Sequence, residues 1–379
     1  MKKIMTIFGT RPEAIKMAPL VLQLKREENL APVVVVTAQH REMLDGVLET
    51  FGIVPDYDLN VMTPDQTLSQ VTSRVLLGLE RVIQEEKPDM VLVHGDTTTT
   101  FAGSLAAFYN EVSIGHVEAG LRTYRKYAPF PEEINRQMTS NMADLHFAPT
   151  EQARQNLLNE SKAAHTVVVT GNTAIDAMRT TIDNNYHSAI LSKHKDRRII
   201  LLTAHRRENI GEPMLNIFKA VRRIVEEMED VVLIYPMHRN PKVRAIAYEQ
   251  LNNHERIELI EPLGVIDFHN FAQHAYLILT DSGGVQEEAP SLGKPVLVLR
   301  ETTERPEGVE AGTLKLVGTE EETVYHHTKQ LLNDNQLYEK MCIAKNPYGD
   351  GYASQRICAH IQYFLGLLNE KPLPFEIEK

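Results

Sequence analysis

The feature of this sequence that most constrains its fold is a regular alternation of short β-rich segments with amphipathic helical segments. Helical periodicity occurs, for example, in TLSQVTSRVLLGLERVIQEE and EPMLNIFKAVRRIVEEM. Eleven segments between the helical ones are predicted as strands: KIMTIF, APVVVVT, DMVLVHG, SIGHVEAG, HTVVVTG, RRIILLTA, DVVLIYP, RIELIEP, YLILTDS, PVLVL and TLKLVG. Their Val, Ile and Leu show little polar alternation, as expected of strands that are buried on both faces. The pattern predicts doubly wound parallel sheets.

Chain length and strand number together predict two Rossmann-like domains. The 379 residues suit two domains of roughly 150 residues or more, and eleven strands are too many for one open sheet. A weak internal sequence similarity between VVVVTAQHRE at 33–42 and IILLTAHRRE at 199–208 fits two halves of similar architecture. The boundary falls in the polar segment 183–198 or in the helix before it. We set the domains at residues 1–172 and 173–353.

Composition and charge exclude several classes of function. The formal net charge of -11 argues against binding to nucleic acid or to an anionic membrane. No apolar run is long enough to span a bilayer, and MKKIMTIF meets polar residues too early for a secretory signal. Cys342 and Cys358 form neither a CxxC motif nor a disulfide framework. We therefore expect a cytoplasmic protein, in which cations beside glycine turns mark any site for an anion.

The loop after the first strand is the first candidate site, because ligands of open α/β sheets bind beyond the carboxyl ends of the strands. In GTRPEAIK, Gly9 allows a tight turn and Pro12 suits the first turn of a helix. Arg11 and Lys16 flank the opening of that helix. The motif fits an anion site and an ordinary basic turn equally well.

Carboxylates follow successive elements of the first half. Asp96 comes after the third clear strand, Glu118 comes after the next, and Glu132 begins the following helix with Arg136 one turn later. Each acid has a structural alternative: a helix cap for Asp96, a solvated loop for Glu118 and a dipole-favoured helix start for Glu132. Their repetition along one sheet predicts that they converge on one rim.

Histidines follow two consecutive strands of the second half. His205 and Arg206 come after one strand, and His238 comes after the next. A single histidine at a strand end is usually structural, but two beside arginines indicate a site. Because the chain has no HExxH motif and no cysteine cluster, we do not expect a metal.

The segment DSGGVQEEAPSLGKPV joins a strand to a helix and predicts a nucleotide site. The backbone N–H groups of Ser282, Gly283 and Gly284 can approach a phosphate closely. Glu288, about one turn later, could accept hydrogen bonds from a ribose diol, and Arg305 could neutralise a diphosphate. The alternative is a tight turn with dipole-favoured acids. No GxGxxG motif follows a strand, so we expect a nucleoside diphosphate and no nicotinamide or flavin cofactor.

Signature blocks along nearly the whole chain resemble those of the bacterial non-hydrolysing UDP-N-acetylglucosamine 2-epimerases. The blocks, in order, are GTRPEAIKMAPL, TAQHREMLD, HGDTTTT, GHVEAGLRT, FPEEINRQ, TGNTAIDA, TAHRREN, DSGGVQEEAPSLGKPV, TTERPEG and NPYGDG. The resemblance implies a GT-B fold, with UDP in the cleft between two Rossmann-like domains and a C-terminal helix at about 354–369 that packs back on the first. It also implies a homodimer without a cofactor.

The same resemblance implies the reaction and the roles of individual residues. UDP-GlcNAc and UDP-ManNAc would interconvert by elimination of UDP to 2-acetamidoglucal and re-addition, to supply cell-surface polysaccharides. UDP would be held by Arg11, His238, Ser282, Gly283, Gly284, Glu288 and Arg305, with Lys16 shaping the cleft. The sugar would be served by Asp96, Glu118, Glu132 and His205, with Arg136 nearby.

An activating second UDP-GlcNAc site occurs in bacterial relatives, and Gln39, His40 and Arg206 match part of it. Two positions depart from that pattern. Glu42 stands where some relatives have Gln, and Asp65 stands where some have Arg. Because a carboxylate at position 65 would repel a second nucleotide, activation of this chain by UDP-GlcNAc is an open question.

Other functions remain compatible with the residues. A GT-B glycosyltransferase would share the UDP-binding half but transfer the sugar to an acceptor. A hydrolysing epimerase would release UDP and free ManNAc. A UDP-sugar sensor without catalysis is the non-enzyme alternative, against which the number of acids argues.

Overall fold

The computed structural model describes residues 1–38, 41–63 and 65–376, without the side chains of 41–43. The described chain forms two compact units. Unit 1 contains Met1–Thr180 and Tyr348–Lys379, and unit 2 contains Thr181–Pro347. The ranges 1–172 and 173–353 stay predictions of where each half folds independently. In the described ranges every helix is too short or too polar to span a lipid bilayer.

Unit 1 is built on a parallel sheet of seven strands. The strands are β1 Lys2–Phe8, β2 Leu30–Val36, β3 Tyr57–Asp58, β4 Met90–His94, β5 Ser113–Val117, β6 Leu145–Ala148 and β7 Val167–Val169. The helices are α1 Arg11–Arg26, α2 Arg41–Thr50, α3 Leu68–Glu86, α4 Thr98–Tyr109, α5 Glu132–Met142, α6 Glu151–Asn159 and α7 Thr173–Thr181. The strand order is β3-β2-β1-β4-β5-β6-β7, and every pairing is parallel.

Unit 2 repeats this architecture with six parallel strands. The strands are β8 Arg198–Thr203, β9 Val231–Pro236, β10 Ile257–Ile260, β11 Leu277–Thr280, β12 Val296–Val298 and β13 Leu314–Leu316. The helices are α8 Ala189–Lys193, α9 Glu212–Glu227, α10 Pro241–Leu251, α11 Val265–His274, α12 Gly283–Glu288, α13 Pro306–Glu310, α14 Glu321–Asn333 and α15 Asn335–Ile343. The strand order is β10-β9-β8-β11-β12-β13, and every pairing is parallel.

The prediction of two doubly wound parallel sheets is confirmed, although two strands were missed. β3 has only two residues, and β6 has the sequence LHFA, in which a histidine and an alanine weaken the β signal. Both sheets reverse their winding once, between β1 and β4 in unit 1 and between β8 and β11 in unit 2. Such switch points are where doubly wound folds bind ligands. The loops after β1 and β4 therefore position the candidate residues of unit 1, and the loops after β8 and β11 position those of unit 2.

The last helix, α16 Ala353–Phe364, belongs to unit 1 and packs on α1. Ile357 is fully buried in the same apolar cluster as residues of α1. The start of α16 is held by Asp176 of α7, whose carboxylate accepts the backbone N–H groups of Ala353 at 3.1 Å and Ser354 at 2.7 Å. These hydrogen bonds satisfy N–H groups that have no acceptor within the helix.

The loop that follows β1 leaves no room for a side chain at its first residue. A Cβ on Gly9 would lie 1.9 Å from Thr37 Oγ1 and 2.8 Å from Thr99 Oγ1. These two hydroxyls are hydrogen-bonded to each other at 2.9 Å. The loop is therefore packed directly against residues that follow β2 and begin α4.

We predict that Gly9→Ala destabilises the protein by about 1–3 kcal/mol, because the added methyl overpacks a closed site. Gly46→Ala in α2 is the matched control. A Cβ there meets no atom within 4 Å, and alanine favours a helix over glycine by about 0.5–1 kcal/mol. Denaturant unfolding measures both variants, and equal stabilities would contradict the packing argument.

Candidate functional site

Glu13 holds the loop at the switch point of unit 1. Its Oε2 accepts the backbone N–H groups of Gly9 at 3.1 Å and Thr10 at 2.8 Å. Its Oε1 accepts the hydroxyls of Thr97 at 2.7 Å and Thr100 at 3.2 Å. Burial raises the pKa of Glu13, and the hydrogen bonds oppose that rise. This carboxylate thus ties the loop after β1 to the start of α4.

Arg11 and Lys16 both belong to α1, and the loop that follows β1 fixes the start of this helix. Arg11 is the first residue of the helix, and Pro12 lies in its first turn as the sequence predicted. Lys16 lies further along the helix and its Nζ forms an ion pair with Glu118 Oε2. The predicted role of Lys16 in shaping a cleft stays a prediction, but its charge compensates that of a candidate acid.

Glu118 lies one residue beyond β5 and is held from several sides. Its backbone has a φ of 61°, a left-handed conformation that costs a residue with a side chain about 1 kcal/mol or more. Asn172 Nδ2 donates to its Oε2 at 2.9 Å, alongside Lys16. His94 Nε2 lies 3.9 Å from the same oxygen. Burial lowers the pKa of His94 to about 4, so this imidazole is neutral near pH 7.

Asp96 follows β4 and faces an arginine of α5. Arg136 Nη2 donates to its Oδ2 at 2.7 Å, and Asn135 Nδ2 donates to its backbone carbonyl at 3.0 Å. Desolvation raises the pKa of Asp96 to about 6; Arg136 opposes the shift, and the charges of Glu118 and Glu132 add to it. A carboxyl that titrates this close to neutral pH can give or take a proton during turnover.

The predicted convergence of three acids on one rim is observed. Asp96 and Glu118 follow adjacent parallel strands, Glu132 begins α5, and both glutamates act on the pKa of Asp96. The alternative of a helix cap for Asp96 is wrong. The N-cap of α4 is Thr97, whose Oγ1 accepts the backbone N–H of Thr100 at 3.1 Å. The catalytic roles of the three acids stay predictions.

Glu133, next to the candidate Glu132, has a structural role. It is fully buried, and its carboxylate accepts the backbone N–H groups of Thr123 and Tyr124 at 3.0 Å each. Gln137 Nε2 donates to it at 2.8 Å. Glu133 therefore fixes the loop before α5 and the helix start that carries Glu132.

Asp281 has the same role in unit 2 that Glu13 has in unit 1. It is fully buried, and its Oδ2 accepts the backbone N–H groups of His205 and Arg206 at 2.8 Å each. The Nδ2 atom of Asn209 donates to the same oxygen at 3.1 Å. The carboxylate thus joins the loop after β8 to the loop after β11 at the switch point of this sheet.

The two predicted site histidines of unit 2 are brought together. The rings of His205 and His238 stack with their centroids 5.6 Å apart and an interplanar angle of 16°. His205 Nδ1 lies 3.3 Å from Asp281 Oδ1. Desolvation lowers the pKa of His205, and the charge of Asp281 opposes the shift. Asn240 donates its backbone N–H to His238 Nδ1 at 3.1 Å.

The Ser-Gly-Gly turn begins α12 as the sequence predicted. Ser282 donates its backbone N–H to Thr280 Oγ1 at 2.9 Å, and Gly283 and Gly284 are the first two helical residues. The first N–H groups of a helix have no acceptor within it. They are therefore oriented for an anion beyond the end of β11.

Two adjacent glutamates of α12 have different roles. Glu287 is buried, and its Oε1 accepts Arg305 Nε at 2.8 Å. A Cβ on Gly283 would lie only 2.9 Å from Arg305 Cζ, so the guanidinium rests against this glycine. Glu288 is oriented differently, with its Oε2 at 3.6 Å from His269 Nε2. One carboxylate fixes the arginine, and the other is the candidate ribose ligand.

The residues predicted for a second nucleotide site are only partly described. Gln39 and His40 lie outside the described residues, and so does the side chain of Glu42. Arg206 is fixed at the unit 2 switch point, where its Nε donates to the backbone carbonyl of Asp281 at 3.3 Å. Asp65 is exposed with a φ of 58°. The second site stays a prediction.

Sequence reasoning missed Glu13, Glu133, Asn172 and Asp281. Each is a buried polar residue whose partners include groups that the fold brings to it. Two of them carried a local signal: Asp281 as a carboxylate between a buried strand and a Ser-Gly-Gly turn, and Glu13 as the glutamate of a capping box that begins at Thr10. In the described part of the chain, no group of three His, Cys, Asp or Glu side chains has the arrangement of a metal site.

Two parallel doubly wound units, with charged groups gathered at each switch point, define a Rossmann-like α/β protein of the nucleotide-binding type. A profile of the UDP-N-acetylglucosamine 2-epimerase family matches residues 22–362. The UDP-N-acetylglucosamine 2-epimerase of Bacillus subtilis is 62% identical over 373 residues, which cover 98% of this chain and 98% of the relative. The chain therefore belongs to the UDP-N-acetylglucosamine 2-epimerase family.

Solved structures support the same assignment. S. aureus MnaA, determined with UDP, is 65% identical with a TM-score of 0.92, covering 99% of this chain and 100% of that one. UDP-GlcNAc 2-epimerase from Neisseria meningitidis, bound to UDP-GlcNAc, is 48% identical with a TM-score of 0.86, covering 96% and 100%. The prediction of two Rossmann-like domains of the GT-B class is confirmed.

We predict that Arg136→Gln raises the pKa of Asp96 above about 6, because it removes the cation that opposes desolvation. Carbon-13 NMR titration of the aspartate carboxyls measures the shift, and Asp96→Asn identifies the signal. Arg136→Lys, which keeps the charge, should change the pKa less. An unchanged Asp96 titration in the glutamine variant would contradict the assigned electrostatics.

Proposed function

We propose that this protein interconverts UDP-GlcNAc and UDP-ManNAc by inverting carbon 2 of the sugar without net hydrolysis. The cluster of Asp96, Glu118 and Glu132, compensated by Lys16 and Arg136, carries the proposal. It supplies several acid–base groups, one of which titrates near neutral pH. The family of the chain supports the substrate, since the N. meningitidis relative was solved with UDP-GlcNAc bound.

Inversion at carbon 2 requires an indirect route, because no carbonyl beside that carbon acidifies its proton. In the proposed route UDP leaves carbon 1 with the electron pair of the C–O bond while a base takes the carbon 2 proton. The product is 2-acetamidoglucal, with a double bond between carbons 1 and 2. UDP then adds back to carbon 1 as a proton reaches the opposite face of carbon 2. Each step moves one proton and breaks or forms one bond between carbon 1 and UDP, without an external oxidant or reductant, so the route requires no redox cofactor.

Residues of unit 2 are proposed to hold the leaving diphosphate. The N–H groups at Gly283 and Gly284 and the guanidinium of Arg305 present positive charge to a developing phosphate anion. Because Glu287 fixes Arg305 before substrate arrives, little reorganisation is needed when the C–O bond breaks. Further proposed UDP ligands are Arg11, His238, Ser282 and, for the ribose diol, Glu288.

Residues of unit 1 are proposed to serve the sugar ring. Two faces of carbon 2 need two acid–base groups, and Asp96, Glu118 and Glu132 are the candidates. Lys16 forms an ion pair with Glu118, whereas Asp96 is present in both forms near pH 6. His205 is proposed to orient the substrate or carry a proton.

In deuterium oxide, the product should carry deuterium at carbon 2, because the acids exchange their protons with solvent. Proton NMR of the protein with UDP-GlcNAc measures both product identity and label. Full retention of the original hydrogen would exclude this chemistry. Release of UDP with free ManNAc would indicate a hydrolysing epimerase, and no reaction without an acceptor would favour a glycosyltransferase.

Substitutions of the acids of unit 1 should lower turnover, and a substitution in the diphosphate site of unit 2 should weaken UDP binding. Asp96→Asn and Glu118→Gln should lower kcat about 100-fold or more while UDP still binds. Gly283→Ala, which displaces Arg305, should weaken UDP binding about 10-fold, since a charge-assisted hydrogen bond contributes about 1.5–3 kcal/mol. Calorimetry and steady-state kinetics measure the two effects. Glu151→Gln, at an exposed side chain, is the control, and a normal kcat in Asp96→Asn would remove Asp96 from the mechanism.

A cytoplasmic homodimer remains part of the proposal. Leu77 of α3, Phe108 of α4 and Met138 of α5 are exposed apolar side chains on helices that pack side by side. This apolar surface supports self-association of unit 1. Sedimentation velocity of the purified chain measures its mass in solution.

A further inference from the structure

Two sequence motifs with no assigned role meet inside unit 1. They are TGNT at 170–173 and the part of NPYGDG that belongs to unit 1, residues 348–351. A Cβ on Gly171 would lie 3.2 Å from Gly349 Cα, so the two backbones approach without side chains between them. The backbone N–H of Asn172 donates to the carbonyl of Tyr348 at 2.6 Å.

The side chain of Asn172 is fixed at both ends. Its Oδ1 accepts the backbone N–H of Ala174 at 2.9 Å at the start of α7. Its Nδ2 donates to Glu118 Oε2 at 2.9 Å. Because the oxygen is used by the helix, the amide presents a donor to the carboxylate. Asn172 is only 3% exposed, so packing also restricts its rotamers.

We propose that Asn172 is a positioning residue for Glu118, an inference that rests on the proposed function of that acid. Asn172 and Lys16 both hold Oε2, while Oε1 lies 3.6 Å from where a Cβ on Gly95 would be, beside Asp96. The two donors therefore fix how the carboxylate presents its second oxygen. If one donor is lost, the carboxylate of Glu118 can rotate away from the productive orientation. Such a misorientation lowers the rate of a proton transfer more than it lowers substrate affinity.

The segment with which the chain re-enters unit 1 after unit 2 holds Asn172 in place. Tyr348 is the first residue of unit 1 after that return, and its carbonyl binds the Asn172 backbone. Arg356 of α16 further holds this region, since it bonds Asp350 at 2.6 and 2.7 Å and the carbonyl of Thr170 at 3.3 Å. The inference thus gives the TGNT and NPYGDG motifs one shared role, the support of a candidate acid.

Asn172→Asp is the selective test, because it keeps the shape and the oxygen that caps α7 but removes the donor to Glu118. The introduced carboxylate would lie about 3 Å from Glu118 Oε2, where like charges raise the pKa of one member of the pair. Among the residues that the structure describes, the charged or titratable groups near the pair include Lys16 of α1, His94 and Asp96 at the end of β4, and Asp176 of α7, whose carboxylate is bound to α16. None of them is changed by the substitution.

Carbon-13 NMR of labelled aspartate and glutamate carboxyls, with Glu118→Gln to identify the signals, should show in Asn172→Asp that the pair formed by Glu118 and the introduced carboxyl takes up one proton at a higher pH than Glu118 does in the wild-type protein. At pH 8 this variant should lose about 10-fold or more in kcat, with KM near the wild-type value. The loss should shrink as pH falls, because the protonated introduced carboxyl can donate to Glu118 again. Asn172→Ala should lose kcat at every pH without that recovery.

The proposal would be overturned if neither Glu118 nor the introduced carboxyl in Asn172→Asp took up a proton at a higher pH than Glu118 does in the wild-type protein. An equal loss of kcat in the aspartate and alanine variants at every pH would overturn it as well, because a purely structural role predicts that result. Failure of the wild-type protein to epimerise UDP-GlcNAc would instead contradict the proposed function. The NMR titration would still decide the role of Asn172, since it requires no turnover.

Discussion

A buried carboxylate that joins two loops at each switch point is the interaction on which the candidate site depends. Glu13 in unit 1 and Asp281 in unit 2 each accept two consecutive backbone N–H groups from the loop after the first strand of the sheet. Parallel strands alone bring their carboxyl ends to one edge but leave the loops without a fixed arrangement. The two carboxylates fix those loops, and with them the residues that follow β1, β4, β8 and β11.

Charge compensation within each unit is the second constraint. The chain is acidic overall, yet three cations of the candidate site lie beside individual carboxylates: Lys16 beside Glu118, Arg136 beside Asp96 and Arg305 beside Glu287. Each pair fixes a long cationic side chain before a ligand binds, which lowers the entropy lost on binding. The same pairing tunes the acids, since Arg136 limits how far desolvation raises the pKa of Asp96.

The sequence predicted what depends on local pattern. Buried strands alternating with helices predicted both sheets, and acids after successive strands predicted the rim shared by Asp96, Glu118 and Glu132. The sequence pattern could not predict which residues hold these acids in place. Asn172 and Glu118 are 54 positions apart. Arg305 donates a hydrogen bond to Glu287 while its guanidinium lies against Gly283. Such pairs follow from the folded arrangement of loops, which no local periodicity encodes.

The proposed mechanism requires the protein to expel UDP from carbon 1 and to recapture it. Positional isotope exchange tests it, using UDP-GlcNAc with oxygen-18 in the bridge between carbon 1 and the β-phosphorus. If the C–O bond breaks, the β-phosphate can rotate before re-addition, and phosphorus-31 NMR will show label in its non-bridging oxygens. Epimerisation with the label still wholly in the bridge would contradict the account.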